Sequence, residues 1–220
     1  MNANHKHQGA LFDLDGVLVD TAHYHFLAWK KIASKLDYDL KREDNEQLKG
    51  VSRIDSLKKI LSLAGKTIEA PLFKQLLEQK NEDYLNAVKQ ITPADLLPGV
   101  REALEFLKER NIKMGLGSAS KNALIIFERL QITPYFEALI DGNSVEYSKP
   151  HPEVFLKGAQ ALGLTPADCV VFEDSQAGII AAKAGGMTAV ALGEPSLFTD
   201  TDYCYPNFNV LNLELLPILF

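Results

Sequence analysis

The sequence is poor in the features that would mark a secreted, membrane-spanning or nucleic-acid-binding chain. Only two cysteines occur in 220 residues, Cys169 and Cys204, too few for a disulfide framework. Reduced thiols in a cytoplasmic protein are the expectation. No apolar run approaches the roughly 20 residues of a membrane helix. The segment MNANHKHQG is polar and lacks the apolar centre of a signal peptide; His5 and His7 within it read as tail. Excess positive charge is also missing. A net charge of -6 argues against a nucleic-acid groove or an anionic membrane surface as partner. What is present is ordinary: 46% hydrophobic and 24% charged residues, enough to bury a substantial core. The length suits one large α/β unit or a core with a smaller insertion.

Five short apolar segments bounded by turn residues read as buried strands: 10–12, 112–117, 137–142, 169–174 and 187–193. A weaker candidate lies near residue 205, where Pro206 suggests an edge strand or a loop. Helical patterns at 99–110, 120–130, 152–162 and 175–185 alternate with the strands. That alternation predicts an α/β, Rossmann-like parallel sheet with helices on both faces. Residues 20–95 differ. Ala22, Phe26, Trp29, Ile32, Ala33 and Leu36 recur at helical spacing, and no strand-like run follows before residue 95. The expected division is a core of 1–19 and 96–220 with an α-helical insert of 20–95, crossed near 19–22 and 91–97. Ser52 followed by Asp55 resembles a capping box. TPAD at 92–95 and at 165–168 reads as repeated helix-start chemistry. Gly115 and Gly117 are expected to loosen packing around the second strand.

In an open parallel sheet, ligands gather at the carboxyl ends of the strands. Here those ends carry Asp13-Leu14-Asp15, Ser118-Ala119-Ser120 and Glu173-Asp174, with Lys149 beyond the third strand. Crowded carboxylates need a cation to offset their repulsion, and an all-oxygen site suits Mg²⁺. Carboxylates, Mg²⁺, Lys149 and Ser118 together form a site for a phosphoryl group. An Asp in such a site can be the nucleophile, with its neighbour as general acid/base.

The stretches DLDGVLVDT, GSAS, SKPHPEVF and EDSQAG, in this order over nearly the whole chain, resemble the four motifs of the haloacid dehalogenase superfamily. The resemblance implies Asp13 as nucleophile and Asp15 as general acid/base. It further implies Mg²⁺ held by Asp13, the Asp15 backbone carbonyl, Glu173 and Asp174.

Within that superfamily, DTAHYHFLAWKKIA, NEQLKGVSRIDSLKKIL, QKNEDY and GSASKNA resemble the β-phosphoglucomutase family. That family interconverts β-glucose 1-phosphate and β-glucose 6-phosphate through a bisphosphate. A second, non-reacting phosphate needs its own clamp. Arg53 offers a planar fork, and Lys49-Gly50-Val51-Ser52 offers an ammonium and a helix start. Ser120, Lys121 and Asn122 sit at the next helix start, and Ser56 and Ala119 complete the substrate-contacting set. By resemblance Thr21 positions Asp15, and His25 and Lys80 orient the sugar while coupling closure to Asp15. Trp29 packs as core by its spacing alone and walls the pocket by resemblance. The expected partner is a small sugar phosphate and the expected state a monomer. A hexose-phosphate phosphatase shares every catalytic residue, and a catalytically silent sugar-phosphate binder is the reading from another class.

Overall fold

Strand-by-strand alternation sorts the core into two halves. The computed structural model, which describes residues 6–49 and 51–220, contains six parallel strands. These are β1 (Gly9–Phe12), β2 (Lys113–Gly117), β3 (Ala138–Ile140), β4 (Cys169–Glu173), β5 (Thr188–Leu192) and β6 (Tyr203–Tyr205). Their order is β3-β2-β1-β4-β5-β6, so the first strand lies at the centre. Ala10, Phe12, Val170, Phe172 and Val190 face one apolar cluster, and Leu11, Val171, Ala189 and Ala191 face the other. This is the period of two expected of strands covered on both sides.

Helices α5 (Val100–Glu109), α6 (Ala123–Leu130), α9 (Phe208–Glu214) and α10 (Leu216–Leu219) supply Leu104, Phe127, Phe208 and Leu219 to the first cluster. Helices α7 (Glu153–Ala161) and α8 (Gln176–Ala184) supply Phe155 and Ile179 to the second. The second face corrects the expectation for Gly115 and Gly117. A Cβ on Gly115 would lie 2.8 Å from Leu11 Cδ2, and one on Gly117 would lie 2.7 Å from the Phe155 ring. The glycines mark tight contact, because side chains from β1 and α7 fill the space that a Cβ would need.

Among the described residues the insert holds four α-helices and no strand: α1 (Ala22–Ser34), α2 (Arg42–Glu46), α3 (Arg53–Leu63) and α4 (Ala70–Val88). Trp29, Ile32, Leu40, Leu57, Ile60 and Leu76 form a cluster of its own, while Ala28, Tyr84 and Val88 join the sheet's first cluster. The two crossing segments touch: Val19 bridges Leu96 in antiparallel fashion, and the Leu97 N–H donates to the Leu18 carbonyl at 3.0 Å. Ser52 caps α3 by accepting from the Asp55 N–H at 3.1 Å. The Asp55 carboxylate accepts from the Ser52 hydroxyl at 2.6 Å, a side-chain closure rather than the backbone reciprocity of a full capping box.

One further expectation is sharpened and another changes. The TPAD segments form single 3₁₀ turns, Pro93–Asp95 and Pro166–Asp168, and the second runs straight into β4. In each, Thr is the cap and Pro opens the turn as expected, and Thr165 Oγ1 donates to Asp168 Oδ2 at 2.7 Å. His7 is anchored rather than loose: its ring meets Leu219 O at 3.2 Å and Thr188 Oγ1 at 3.0 Å and packs edge-on against Phe220. His5 lies outside the described residues.

Candidate active site

The candidate site begins where β1 ends. The Asp13 N–H donates to Phe172 O at 3.0 Å, which extends the strand pairing by one residue and fixes the carboxylate beside β4. The chain then turns at Gly16 with φ +82, where a Cβ would lie 2.1 Å from Asp174 Oδ2. Only glycine combines that left-handed backbone with so close an approach. Lys149, with a fully buried side chain, places Nζ 2.6 Å from Asp13 Oδ1 and 2.5 Å from Glu173 Oε1. The other Glu173 oxygen accepts from the Ser175 N–H at 2.9 Å and its hydroxyl at 2.8 Å. Ser118, at the end of β2, is buried. Its N–H donates to Ile140 O at 2.9 Å, and its Oγ accepts from the Ser120 N–H at 3.1 Å.

Negative charge exceeds positive here, and burial makes that imbalance costly. Burial, opposed by Lys149 and aided by Glu173, raises Asp13 to about 6. Burial and the neighbouring Asp13 raise Asp15 to about 7. Asp174 is pushed well above the usual carboxylate range by burial and by Glu173. Burial works against the charge on Lys149, but Asp13 and Glu173 outweigh it and the ammonium is strengthened.

The insert lies over these groups. Thr21 is fully buried and its hydroxyl donates to Asp15 Oδ1. His25 Nε2 stands 3.7 Å from Asp15 Oδ2, and Lys80 Nζ meets His25 Nδ1 at 2.7 Å. Lys80 also lies over the rings of Trp29 and Tyr84, at 5.1 and 4.6 Å. Burial and the positive Arg53 lower Lys80 to about 7, and burial with Lys80 holds His25 well below its ordinary value. Neutral imidazole therefore faces Asp15, with Lys80 as its donor partner.

A cavity of about 1120 Å³ joins the two sides. Asp13, Asp15, His25, Trp29, Lys49, Val51, Ser52, Arg53, Ser56 and Lys80 line it, with Ala119, Ser120, Lys121, Asn122, Lys149 and Asp174. Thr21, Ser118 and Glu173 stand behind that wall and hold the residues that form it. Gly50 lies outside the described residues. Trp29 packs in the insert's cluster and also lines the cavity.

Two groups not singled out in the sequence, Tyr84 and Asn81, are added by the geometry, and Asp55, read there only as part of a helix cap, gains a second contact. Tyr84 stacks on His25 with centroids 4.1 Å apart. Asn81 accepts from the Asn122 amide at 2.8 Å, and Asp55 accepts from the Ser148 hydroxyl at 3.2 Å. Tyr84 could have been found, since it falls one helical turn after Lys80; the other two contacts cross between distant segments.

The order and placement of these four strand-end groups find a match among known proteins. The family model of haloacid dehalogenase-like hydrolases matches residues 7–186. The chain belongs to this family. It is 45% identical over 211 residues to "Beta-phosphoglucomutase" of Bacillus subtilis (strain 168), covering 95% of this chain and 93% of that one. It is 32% identical over 186 residues to "Phosphorylated carbohydrates phosphatase" of Thermotoga maritima, covering 83% of each. Among solved structures, β-phosphoglucomutase from Clostridium difficile superposes with a TM-score of 0.89 at 38% identity, covering 93% of this chain and 92% of that one.

Family membership implies a divalent metal ion, and the residues present fit one. Oxygens of Asp13, Glu173 and Asp174 lie within 4.8 Å of one another, an all-oxygen set for a hard cation. Asp13 and Glu173 share the one buried ammonium of Lys149 and Asp174 has no part in it, so a dication would supply the missing charge. Both Glu173 oxygens are already engaged by Lys149 and Ser175, which leaves Asp13 and Asp174 as the more accessible donors. Among the described residues no helix is long and apolar enough to cross a membrane.

Proposed function

We propose that the chain is a Mg²⁺-dependent β-phosphoglucomutase, interconverting β-glucose 1-phosphate and β-glucose 6-phosphate through β-glucose 1,6-bisphosphate. One observation carries the reading. The cavity that holds Asp13 and Asp15 is also lined by Arg53 and Lys121, and among the described residues neither cation pairs with a carboxylate. A plain monophosphatase has little need of a second anion clamp, whereas a bisphosphate intermediate requires one.

Asp13 is the nucleophile and carries the phosphoryl group between half-reactions. In the first, phospho-Asp13 gives its phosphoryl to the sugar 6-hydroxyl while Asp15 takes the hydroxyl proton. The bisphosphate then reorients. Asp13 attacks the phosphorus at position 1, the P–O1 bond breaks, and Asp15 returns its proton to O1. Product leaves and the aspartyl phosphate is restored. Asp15, near pKa 7, is poised to hold and release that proton at neutral pH. Thr21 fixes one of its oxygens, and His25 with Lys80 sits beside the other. Lys149 and Ser118 steady the transferring phosphoryl oxygens, and Arg53, Ser120, Lys121 and Asn122 grip the distal phosphate. Asp13, Asp174, Glu173 and the Asp15 carbonyl would hold Mg²⁺, which supplies charge neutralisation of the phosphoryl oxygens.

Residues 20–95 act in this scheme as a cap hinged at the paired crossings near 19–22 and 91–97, excluding water during transfer. The working state we assign is a cytoplasmic monomer. The deciding assay supplies β-glucose 1-phosphate with a catalytic amount of the bisphosphate. Glucose 6-phosphate is the expected product; stoichiometric inorganic phosphate without it would assign a hexose-phosphate phosphatase instead.

A further inference from the structure

Asp13 and Glu173 share the Lys149 ammonium, but Asp174 does not. The cation facing Asp174 comes from the insert: Lys49 Nζ lies 3.5 Å from Asp174 Oδ2. Lys49 follows α2, and the same ammonium lies 3.0 Å from Glu46 Oε2 on that helix. It therefore has two carboxylate partners, one on the core and one on its own side of the cavity. Asp174 is also one of the three carboxylates that converge for a metal.

We infer that Lys49 is a cap-borne stand-in for the metal, tying the insert to Asp174 until a divalent cation displaces it. An ammonium at 3.5 Å and a dication on the same carboxylate repel strongly. When the metal binds, Lys49 gives up Asp174 and keeps Glu46 as its ion-pair partner. Metal loading thereby loosens one tie between insert and core before substrate arrives. Other ties, among them Asn122–Asn81, Ser148–Asp55 and Arg129 to the Lys89 carbonyl, involve no metal donor and remain. The inference rests on the acidic cluster being a divalent-metal site. It is independent of whether water or sugar accepts the phosphoryl group.

The coupling must be reciprocal: if metal expels Lys49, removing Lys49 must tighten metal. Partly exposed ion pairs are worth an amount that corresponds to roughly a two- to five-fold change in affinity. The test is Mn²⁺ binding followed by electron paramagnetic resonance on the whole protein without sugar phosphate, comparing wild type, Lys49→Met and Lys49→Arg. The expected result is Mn²⁺ bound about two- to five-fold tighter by Lys49→Met and unchanged in Lys49→Arg. Hydrogen exchange over residues 42–49 should rise in wild type on adding Mg²⁺ and be insensitive to it in Lys49→Met. Lys49→Gln provides the same comparison if Met at this partly exposed position impairs folding. Equal or weaker Mn²⁺ binding in the uncharged variants overturns the inference and leaves the metal site standing. No Mn²⁺ binding by wild type overturns the metal reading, and this inference with it.

Discussion

Replacing Lys149 by Met tests whether the buried charge triad holds the site together. Met approximates the volume of the lysine stem but leaves Asp13 and Glu173 facing each other without the ammonium now 2.6 and 2.5 Å away. Removing one partner of a buried ion pair typically costs about 3–5 kcal/mol, because the remaining charge stays buried and unpaired. For a chain of this size each kcal/mol moves Tm by roughly 2–4 °C, so a fall of about 6–20 °C is expected for metal-free protein. The loss depends on pH. Without Lys149 the Asp13 carboxyl, already raised to about 6, titrates higher still in the folded state, further above its value in the unfolded chain. A raised carboxyl pKa means that the native state holds more protons, so stability falls as pH rises through the window between the two values. The gap to wild type should be small near pH 4–5 and full by pH 8. Thermal unfolding at both pH values measures it, with Lys157→Met as the exposed control. Lys157 pairs with Glu153 at 2.6 Å but is 43% exposed, so its loss should cost no more than about 1 kcal/mol. A Lys149→Met gap below 2 °C at pH 8, or one equal at both pH values, would refute the reasoning.

Asp15→Asn should lower turnover by roughly 10²–10⁴-fold while leaving metal affinity mostly intact; a metal loss as large as the rate loss would assign the side chain to the metal. Gly16→Ala should be destabilised far more than Gly65→Ala and should lose metal binding. Both have positive φ, but a Cβ at Gly65 meets nothing within 4 Å, whereas at Gly16 it strikes Asp174. Equal stability of the two alanine variants would contradict this. Lys80→Met probes the depressed lysine: with a folded pKa of about 7 against 10.5, the native state holds fewer protons than the unfolded chain between those values. Wild-type stability therefore rises with pH across that window, and the stability difference Lys80→Met minus wild type should shrink from pH 7 to pH 10. A constant difference in urea midpoints would show that Lys80 is charged throughout.

Much of the site could be read along the chain because its parts are strand ends. Apolar runs at 10–12 and 169–173 each finish on acidic residues, and a parallel sheet carries such ends to one edge. The TPAD segments were legible as helix starts because capping chemistry is local; where each 3₁₀ turn stops depends on what packs after it. Gly115 and Gly117 were misread for the converse reason. A missing side chain looks like empty space until the neighbour that fills it, Phe155 from α7 or Leu11 from β1, is brought alongside.

By itself, then, the sequence determined the parallel α/β core, the helical insert and the four strand-end motifs, because periodicity and turn chemistry act over a few neighbouring residues. Only the tertiary structure decided which charges meet. Lys149 lies 136 residues from Asp13 in the chain, and the ties from Lys49 to Asp174, Asn81 to Asn122 and Asp55 to Ser148 likewise join distant segments. Contacts of that kind depend on how the insert folds back over the sheet edge, and no short-range pattern encodes that placement.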